Sequence, residues 1–139
     1  MMYGPANFYD DSIGYLLKRS GKIESQKDGP PKISDIIETV SQVSKVPVRD
    51  ILGPWRWQGY MIPRLSVYWI ARNFTLQSYP QIARAVGKRD HTTIMSGVRR
   101  VERYSRIYRP IIEPSLEILE NRGFYMMSEV KMANYYSKE

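Results

Sequence analysis

Cysteine is absent from this 139-residue chain, and several further absences each exclude a class of protein. Without thiols the chain can form no disulfide, thiolate zinc site or cysteine nucleophile, and nothing indicates an oxidising compartment. No apolar run approaches the roughly 20 residues that span a bilayer. Asp10 and Asp11 interrupt the N-terminal region too early for a signal peptide. We therefore expect a cytoplasmic protein with no membrane partner.

The sequence also lacks the motifs of common enzyme classes. It has no GxxxxGK[ST] phosphate loop for nucleotide hydrolysis and no GxSxG elbow to supply a nucleophile. Its one histidine, His91, follows Asp90, and we expect adjacent side chains on a helix to diverge rather than to meet as a base and its orienter. We predict neither catalysis nor a metal or other cofactor.

Acidic residues are too few to balance the basic ones. The chain has 21 Lys and Arg against 14 Asp and Glu, a formal net charge of +7, which favours polyanionic partners. Hydrophobic residues make up 42% of the chain, enough for one core at this length. We expect a single compact domain with tails, and polyanions as plausible partners.

The pattern along the chain predicts an all-α protein with three parts. Residues 1–31 form an N-terminal extension and linker, because SGKIESQKDGPP at their end has no periodicity. Residues 32–109 form the helical domain. Residues 110–139 form a C-terminal helical extension, in which Pro110 and Pro114 break the chain before SLEILENRG makes a helix closed by Gly123. The last segment, FYMMSEVKMANYYSKE, has an amphipathic character.

Apolar spacings of three and four predict the first helices of the domain. A helix over residues 34–44 starts behind Ser34 as N-cap, and VPVRDILG forms a short helical turn. We predict a loop for GPWRWQGYMIP because two glycines and two prolines interrupt it. Pro63 then suits the first turn of a helix over residues 64–75. Its apolar face comprises Leu65, Trp69, Ile70, Ala71 and Phe74.

Two further helices joined by a glycine bend have the signature of a helix-turn-helix. SYPQIARAVG has the Ser78 and Gln81 spacing of a capping box and ends at Gly87. The next helix starts behind Asp90 and extends to about Tyr108. Its buried stripe comprises Ile94, Val98 and Val101. Short helices linked in this way place the second one in the DNA major groove.

The second helix starts with side chains that can read base edges. Its first turn carries His91, Thr92 and Thr93, and the major groove offers acceptors, the cytosine N4 donor and the thymine methyl. Basic residues dominate the surrounding sequence: Arg84, Lys88, Arg89, Arg99, Arg100, Arg103, Arg106 and Arg109. Alternatively, these charges form only a solvated face and Asp90 only caps the helix. Capping and base contact are compatible.

The motif RDHTTIMSGVRRVE resembles the signature of domain IV, the C-terminal DNA-binding domain of the bacterial replication initiator DnaA. The resemblance extends backward through SYPQIARAVG, PRLSVYWIARNFT and VPVRDILG, and so runs from about residue 32 to 108. It implies a helical fold similar to Trp repressor and binding to TTATCCACA-type DnaA boxes. The RDHTT start is its most specific part.

The resemblance also implies a division of roles among the residues. It assigns contacts with bases in the major groove to Pro80, Arg89, Asp90, His91, Thr92 and Thr93. It assigns a contact with bases in the minor groove to Arg56. It assigns contacts with phosphates to Arg64, Arg72, Tyr79, Ser96, Arg99 and Arg100. Lys88 replaces a family glycine and adds a phosphate contact.

Two departures from the family qualify this prediction. The family's basic loop is rich in Lys and Arg, whereas GPWRWQGYMIPR keeps Arg56 between Trp55 and Trp57. These tryptophans either flank the groove or pack into the core or a partner. DnaA initiators also carry an ATPase domain and an N-terminal oligomerisation domain, and nothing in this sequence could encode the ATPase domain. We therefore expect a stand-alone chain that occupies DnaA boxes as a competitor or regulates promoters.

The sequence leads to two hypotheses about function. The first is a sequence-specific double-stranded DNA-binding protein that regulates replication initiation or transcription. The second is a protein-interaction module, in which the aromatic loop and the segment 124–139 bind a protein partner or another copy of the chain.

Overall fold

The computed structural model describes residues 29–87 and 90–126, and every regular element in those stretches is an α-helix. The six helices are α1 (Ile33–Ser44), α2 (Val48–Ile51), α3 (Gln58–Phe74), α4 (Tyr79–Ala85), α5 (His91–Arg103) and α6 (Ser105–Asn121). The all-α prediction is confirmed. None of these helices is long and apolar enough to cross a membrane. The predicted N-terminal extension up to residue 28 and the last segment from residue 127 lie outside the described residues.

Helix α3 lies at the centre of the fold and packs against α1, α5 and α6. The five residues of its predicted apolar face are all buried. Trp69 and Phe74 meet edge to face, with ring centroids 5.6 Å apart. Full burial of a side chain such as Phe74 stabilises the fold by roughly 1.5–3 kcal/mol, so this face supplies much of the core.

The predicted start of α3 at Pro63 is wrong. The helix begins at Gln58, with Trp57 as the N-cap residue, and Pro63 lies inside it. The Trp57 carbonyl accepts the first backbone hydrogen bonds, from Tyr60 at 2.9 Å and Met61 at 3.0 Å. Because Met61 and its neighbour Ile62 pack against the core, tertiary contact outweighs the helix-breaking tendency of the glycine and the proline.

The predicted chain breaks at Pro110 and Pro114 are also wrong. Both prolines lie inside α6, which continues across residue 109 and packs on α1 and α3. Both prolines are exposed, so water can hydrate the backbone carbonyls of α6 that have no proline N–H to bond with. The opposite face of α6 is buried through Tyr108, Ile112 and Leu116. Burial of this stripe maintains the helix despite the cost of two prolines.

The start of α4 matches the prediction, whereas the start of α1 does not. The Ser78 hydroxyl accepts from the Gln81 N–H, and the Gln81 side chain accepts from the Ser78 N–H, as predicted. Ser34 is not the N-cap of α1. The helix starts one residue before it, behind Lys32, whose N–H donates to the Asp35 carboxylate at 3.0 Å. A carboxylate three residues later thus defines this end more strongly than a serine.

The two ends of the described fold are joined. The Tyr125 N–H donates to the Gly29 carbonyl at 2.9 Å, and Phe124 is buried. Arg122 reaches back to α1, with its guanidinium 3.3 Å from the Thr39 hydroxyl and 3.7 Å from the Asp35 carboxylate. The chain after α6 therefore holds the start of the domain in place.

Candidate nucleic-acid interface

Helices α4 and α5 follow each other in the chain and pack against each other, as a helix-turn-helix requires. Gly87 lies between them and has a φ of +114°, which residues other than glycine rarely adopt. The predicted glycine bend is therefore present. Lys88 and Arg89, which follow it, lie outside the described residues, so their predicted DNA contacts stay predictions.

Helix α5 has one buried and one exposed face. Its predicted apolar residues Ile94, Val98 and Val101 are buried, together with Gly97. The helix ends at Arg103 rather than near Tyr108, because Tyr104 leaves the helical conformation. The exposed face carries His91, Thr92, Thr93, Ser96, Arg99, Arg100 and Arg103. This face is polar at its start and basic at its end.

The first turn of α5 orients its acidic residue through a hydroxyl. The Thr92 hydroxyl donates to the Asp90 carboxylate, and this bond lowers the pKa of Asp90. Asp90 occupies the N-cap position without a regular side-chain capping hydrogen bond, although the backbone N–H groups of Thr92 and His91 also help to lower its pKa. Its own carbonyl accepts from the Thr93 N–H at 2.9 Å. The carboxylate is thus an ionised acceptor on the surface, able to accept from a cytosine N4 donor.

His91 lies nearer to Asp90 than the sequence predicts. Its Nδ1 is 3.7 Å from an Asp90 oxygen, so the expectation that the adjacent side chains diverge is wrong. The side chains are 50% and 67% exposed, respectively. An imidazole beside a carboxylate and two threonines gives this turn both donors and acceptors, all facing solvent.

An open groove of about 780 Å³ lies between the exposed face of α5 and the start of α3. Its lining comprises Met61, Leu65, Thr92, Thr93, Ser96, Gly97, Arg99, Arg100, Glu102, Arg103 and Tyr104. The groove therefore brings together five predicted DNA contacts from α5. Glu102 is the acidic member of this lining.

Glycine allows α5 to approach α3 closely at the floor of this groove. A Cβ at Gly97 would lie 2.8 Å from side-chain carbons of both Leu65 and Tyr68. These distances are well below ordinary carbon contacts, so a larger residue would push the helices apart. The close approach fixes the exposed face of α5 against the rest of the domain.

A second part of the predicted interface surrounds α4. The Arg72 guanidinium stacks over the Tyr79 ring, 4.4 Å from its centroid, and contacts the Gln77 carbonyl at 3.5 Å. The stacking restricts both side chains, which were predicted to contact phosphate. Pro80 is exposed in the first turn of α4.

The structure does not bring Arg64 to this surface. Its side chain is buried, at 4% exposure, inside the domain. Its Nε donates to the Ile51 carbonyl at 2.6 Å and its Nη2 to the Asp50 carbonyl at 3.0 Å. In this position Arg64 binds the C-terminal end of α2, where helix carbonyls lack helical partners. The predicted phosphate contact is therefore inconsistent with the geometry.

The aromatic loop, residues 54–57, lies immediately before α3. Trp55 and Trp57 are 60% and 65% exposed, so the alternative that they pack into the core is wrong. Arg56 between them is also exposed. Met61, four residues after Trp57, lines the groove with Thr92 and Thr93. The loop therefore leads directly into the helix that supplies Met61 and Leu65 to the groove.

A model of the family described as "Bacterial dnaA protein helix-turn-helix" matches residues 33–101, from the start of α1 almost to the end of α5. This segment is a DnaA-type helix-turn-helix domain. The match is confined to the helices just described, and the fold and the predicted resemblance agree with it.

Several bacterial relatives of this DnaA-type domain have the same name, chromosomal replication initiator protein DnaA. The protein from Ruegeria sp. (strain TM1040) is 38% identical over 81 residues, which are 58% of this chain and 17% of that protein. The Rhodopseudomonas palustris (strain BisB5) protein is 36% identical over 80 residues, 58% of this chain and 17% of that protein. The Acinetobacter baylyi protein is 34% identical over 70 residues, which are 50% of this chain and 15% of that protein. The chain thus spans under a fifth of these relatives.

Sequence reasoning assigned no individual DNA contact to three further residues that line the groove of the DnaA-type domain, although it counted Arg103 among the basic residues of this region. Arg103 continues the exposed spacing of Ser96 and Arg99 along α5, so helical periodicity would have identified it as part of this face. Met61 was missed because its segment was predicted as a loop. Tyr104 was missed because the end of α5 was predicted too late. In the part of the chain that the structure describes, no cluster of three or more metal-ligating side chains occurs.

Proposed function

We propose that this protein binds double-stranded DNA sequence-specifically, at sites similar to DnaA boxes. The exposed first turn of α5 is the observation that carries the proposal. His91, Thr92 and Thr93 are exposed there while the opposite face of the same helix is buried. Recognition helices of helix-turn-helix proteins use their N-terminal residues in this way.

The proposed interface divides into base-reading and phosphate-binding residues. Asp90, His91, Thr92, Thr93 and Pro80 read bases in the major groove, with Arg89 supporting the start of the helix. Phosphates are bound by Arg72, Tyr79, Lys88, Ser96, Arg99, Arg100 and Arg103, and Arg56 contacts the minor groove. Base contacts determine the sequence, whereas phosphate contacts position the domain and make affinity dependent on salt.

We further propose that DNA occupancy by this domain regulates replication initiation or transcription. The relatives are named as chromosomal replication initiators, which supports a role at replication sites. Binding to the same boxes would make this chain a competitor or a partner of an initiator. Selection from random duplexes at one fixed salt concentration identifies the preferred site, because affinities at different salt are not comparable.

Exchanging His91 for alanine is expected to weaken binding to the preferred site by about 1–3 kcal/mol, the usual contribution of a base contact. Binding to random duplex is expected to stay nearly unchanged, because the imidazole contacts no phosphate in the proposed interface. Fluorescence anisotropy of labelled duplexes measures both affinities.

Arg99→Ala is the matched variant, since Arg99 is exposed on the same helix about two turns away. It is expected to weaken binding to all duplexes and to reduce the slope of log affinity against log salt by about one. Equal losses for His91→Ala on preferred and random duplexes would contradict the proposed base reading.

A further inference from the structure

A second apolar stripe runs along α6, beside the one that is buried in the core. Ile107, Ile111, Pro114 and Ile118 make up this α6 stripe, at successive spacings of four, three and four residues. At about 100° per residue, these positions fall within about 60° of one another on the helix surface. Ile107 is 46% exposed, Pro114 is exposed, and Ile111 and Ile118 are half-buried. The core of the domain therefore leaves much of this apolar surface accessible to solvent.

The spacing of the α6 stripe is typical of a helix that packs against another helix. An amphipathic surface helix normally has one apolar stripe, which faces the core, and polar residues elsewhere. Tyr108, Ile112 and Leu116 already supply the core-facing stripe of α6. Alternating spacings of three and four residues form the seam of a coiled coil, where side chains of one helix fit between those of its partner. The second stripe thus indicates a helical partner.

The order of charges along α6 indicates which helix that partner is. Basic residues lie in its first half and acidic residues in its second half: Arg106, Arg109, Glu113, Glu117 and Glu120. The first turn contains no acid and the last turn no base. This order is the reverse of what the helix dipole favours, so the dipole does not explain it. It is complementary to a second α6 that runs in the opposite direction.

An antiparallel pair of α6 helices brings the apolar residues of two stripes together. The stripe is symmetric about its middle, so a two-fold axis would pass between Ile111 and Pro114. Ile111 of each copy then meets Pro114 of the other. At the two ends of the contact, Ile107 meets Ile118.

The same antiparallel arrangement pairs opposite charges beside the stripe. Arg109 and Glu113 bind each other near the middle of the helix, with 2.8 Å between Nε and Oε2. Arg106 and Glu117 lie about one turn further out, in opposite directions along the helix. Arg106 of one copy therefore comes near Glu117 of the other copy at both ends of the contact.

We propose that α6 binds the α6 of a second copy of this chain, antiparallel and along the α6 stripe, to form a two-fold symmetric dimer. Each copy contributes the same surface, as in most homodimers. The contact extends along a helix of 17 residues, about 25 Å long. This is a small surface for a permanent dimer, so dissociation in the micromolar range is expected.

The first test makes one position of the stripe polar. Sedimentation velocity without DNA is expected to show the parent protein changing from monomer to dimer between low and high micromolar concentration. Ile107→Gln is expected to raise the dimer dissociation constant about tenfold or more, because each dimer contains the residue twice. Ile107→Leu keeps the position apolar and is expected to dimerise like the parent protein.

Leu76→Gln is the matched control for loss of an exposed apolar side chain. Leu76 is 75% exposed and lies between α3 and α4, away from the α6 stripe. Parent-like dimerisation is expected for this variant. Far-UV circular dichroism checks that each variant is folded, as expected for substitutions at exposed positions.

The second test reverses charges to determine the direction of pairing. Arg106→Glu and Glu117→Arg alone each place like charges together in the antiparallel dimer, so each is expected to weaken it several-fold. The two changes shift the net charge in opposite directions, so weakening by both does not arise from net charge. The double variant is expected to regain parent-like dimerisation because every opposite pair forms again. Single reversals would leave a parallel pair unchanged, since like charges face each other there in any case.

The third test rests on the proposed function. A two-fold dimer presents its two recognition helices to an inverted pair of sites rather than a direct repeat. Duplexes with two preferred sites, at spacings scanned over one helical turn, are expected to show cooperative binding in the inverted orientation. Ile107→Gln is expected to bind each site with parent-like affinity but without this cooperativity.

Three results would overturn the inference. They are a parent protein that stays monomeric at every concentration, dimerisation that Ile107→Gln leaves unchanged, and a double charge reversal that fails to restore the dimer. If Trp57→Ala rather than Ile107→Gln abolished the dimer, the aromatic loop would be the interface instead. Failure of the proposed function looks different, because dimerisation is measured without DNA.

Discussion

Replacing Arg64 with leucine is expected to lower the free energy of unfolding by about 2–4 kcal/mol, because buried hydrogen bonds from a charged group are lost and their acceptors stay buried. The guanidinium donates to two carbonyls at the end of α2 and contacts the Met61 sulfur at 3.0 Å. It therefore joins α2 to α3. Urea unfolding followed by far-UV circular dichroism measures the loss.

Two control variants identify the cause of this loss. Arg64→Lys keeps the charge but not the planar fork of donors, so a smaller loss is expected. Arg99→Leu changes an exposed arginine and is expected to shift stability by no more than about 0.5 kcal/mol. If Arg64→Leu left stability unchanged and abolished DNA binding, Arg64 would be a phosphate contact, as the resemblance implies.

Replacing Gly97 with valine is expected to lower the free energy of unfolding by about 2–3 kcal/mol, near the upper end for overpacking a core. Its Cβ would lie 2.8 Å from buried carbons of Leu65 and Tyr68, and two further methyl groups would follow. Because α5 would move away from α3, binding to every duplex is expected to weaken as well. Chemical unfolding and duplex titration of the same preparation measure both effects.

Gly97→Ala is the graded control for this position. It adds the clashing Cβ alone, and the higher helix propensity of alanine offsets part of the cost, so a smaller loss is expected. Gly59→Ala makes the same change in α3 but meets only the exposed ring of Trp57. Equal stability of Gly97→Val and the parent protein would contradict the close packing of α5 on α3.

Helical periodicity predicted most of the fold correctly because burial determines both the pattern and the packing. The stripe of Ile94, Val98 and Val101 is an example, as is the capping box at Ser78. The errors occur at prolines and glycines. Pro63, Pro110 and Pro114 have the sequence context of helix boundaries, yet tertiary burial of neighbouring residues keeps the helices intact.

The candidate site was less predictable than the fold, because a sequence motif does not show which of its side chains are buried and which are exposed. The resemblance assigns a phosphate contact to both Arg64 and Arg99, whereas the structure buries the first and exposes the second. The close contact between the Trp57 ring and Gly59 is equally invisible in the sequence, since it depends on how the chain enters α3. The first turn of α5, with His91, Thr92 and Thr93 exposed, was predictable because its residue types are themselves the specific signal.

The hydrogen bond between Gly29 and Tyr125 has a consequence for the architecture of larger proteins. A domain whose two ends lie side by side can be inserted into a surface loop of a host protein without separating its helices. It can also be circularly permuted by joining those two ends and opening the chain elsewhere. This helix-turn-helix domain is thus expected to fold equally well within a longer chain and at the end of one.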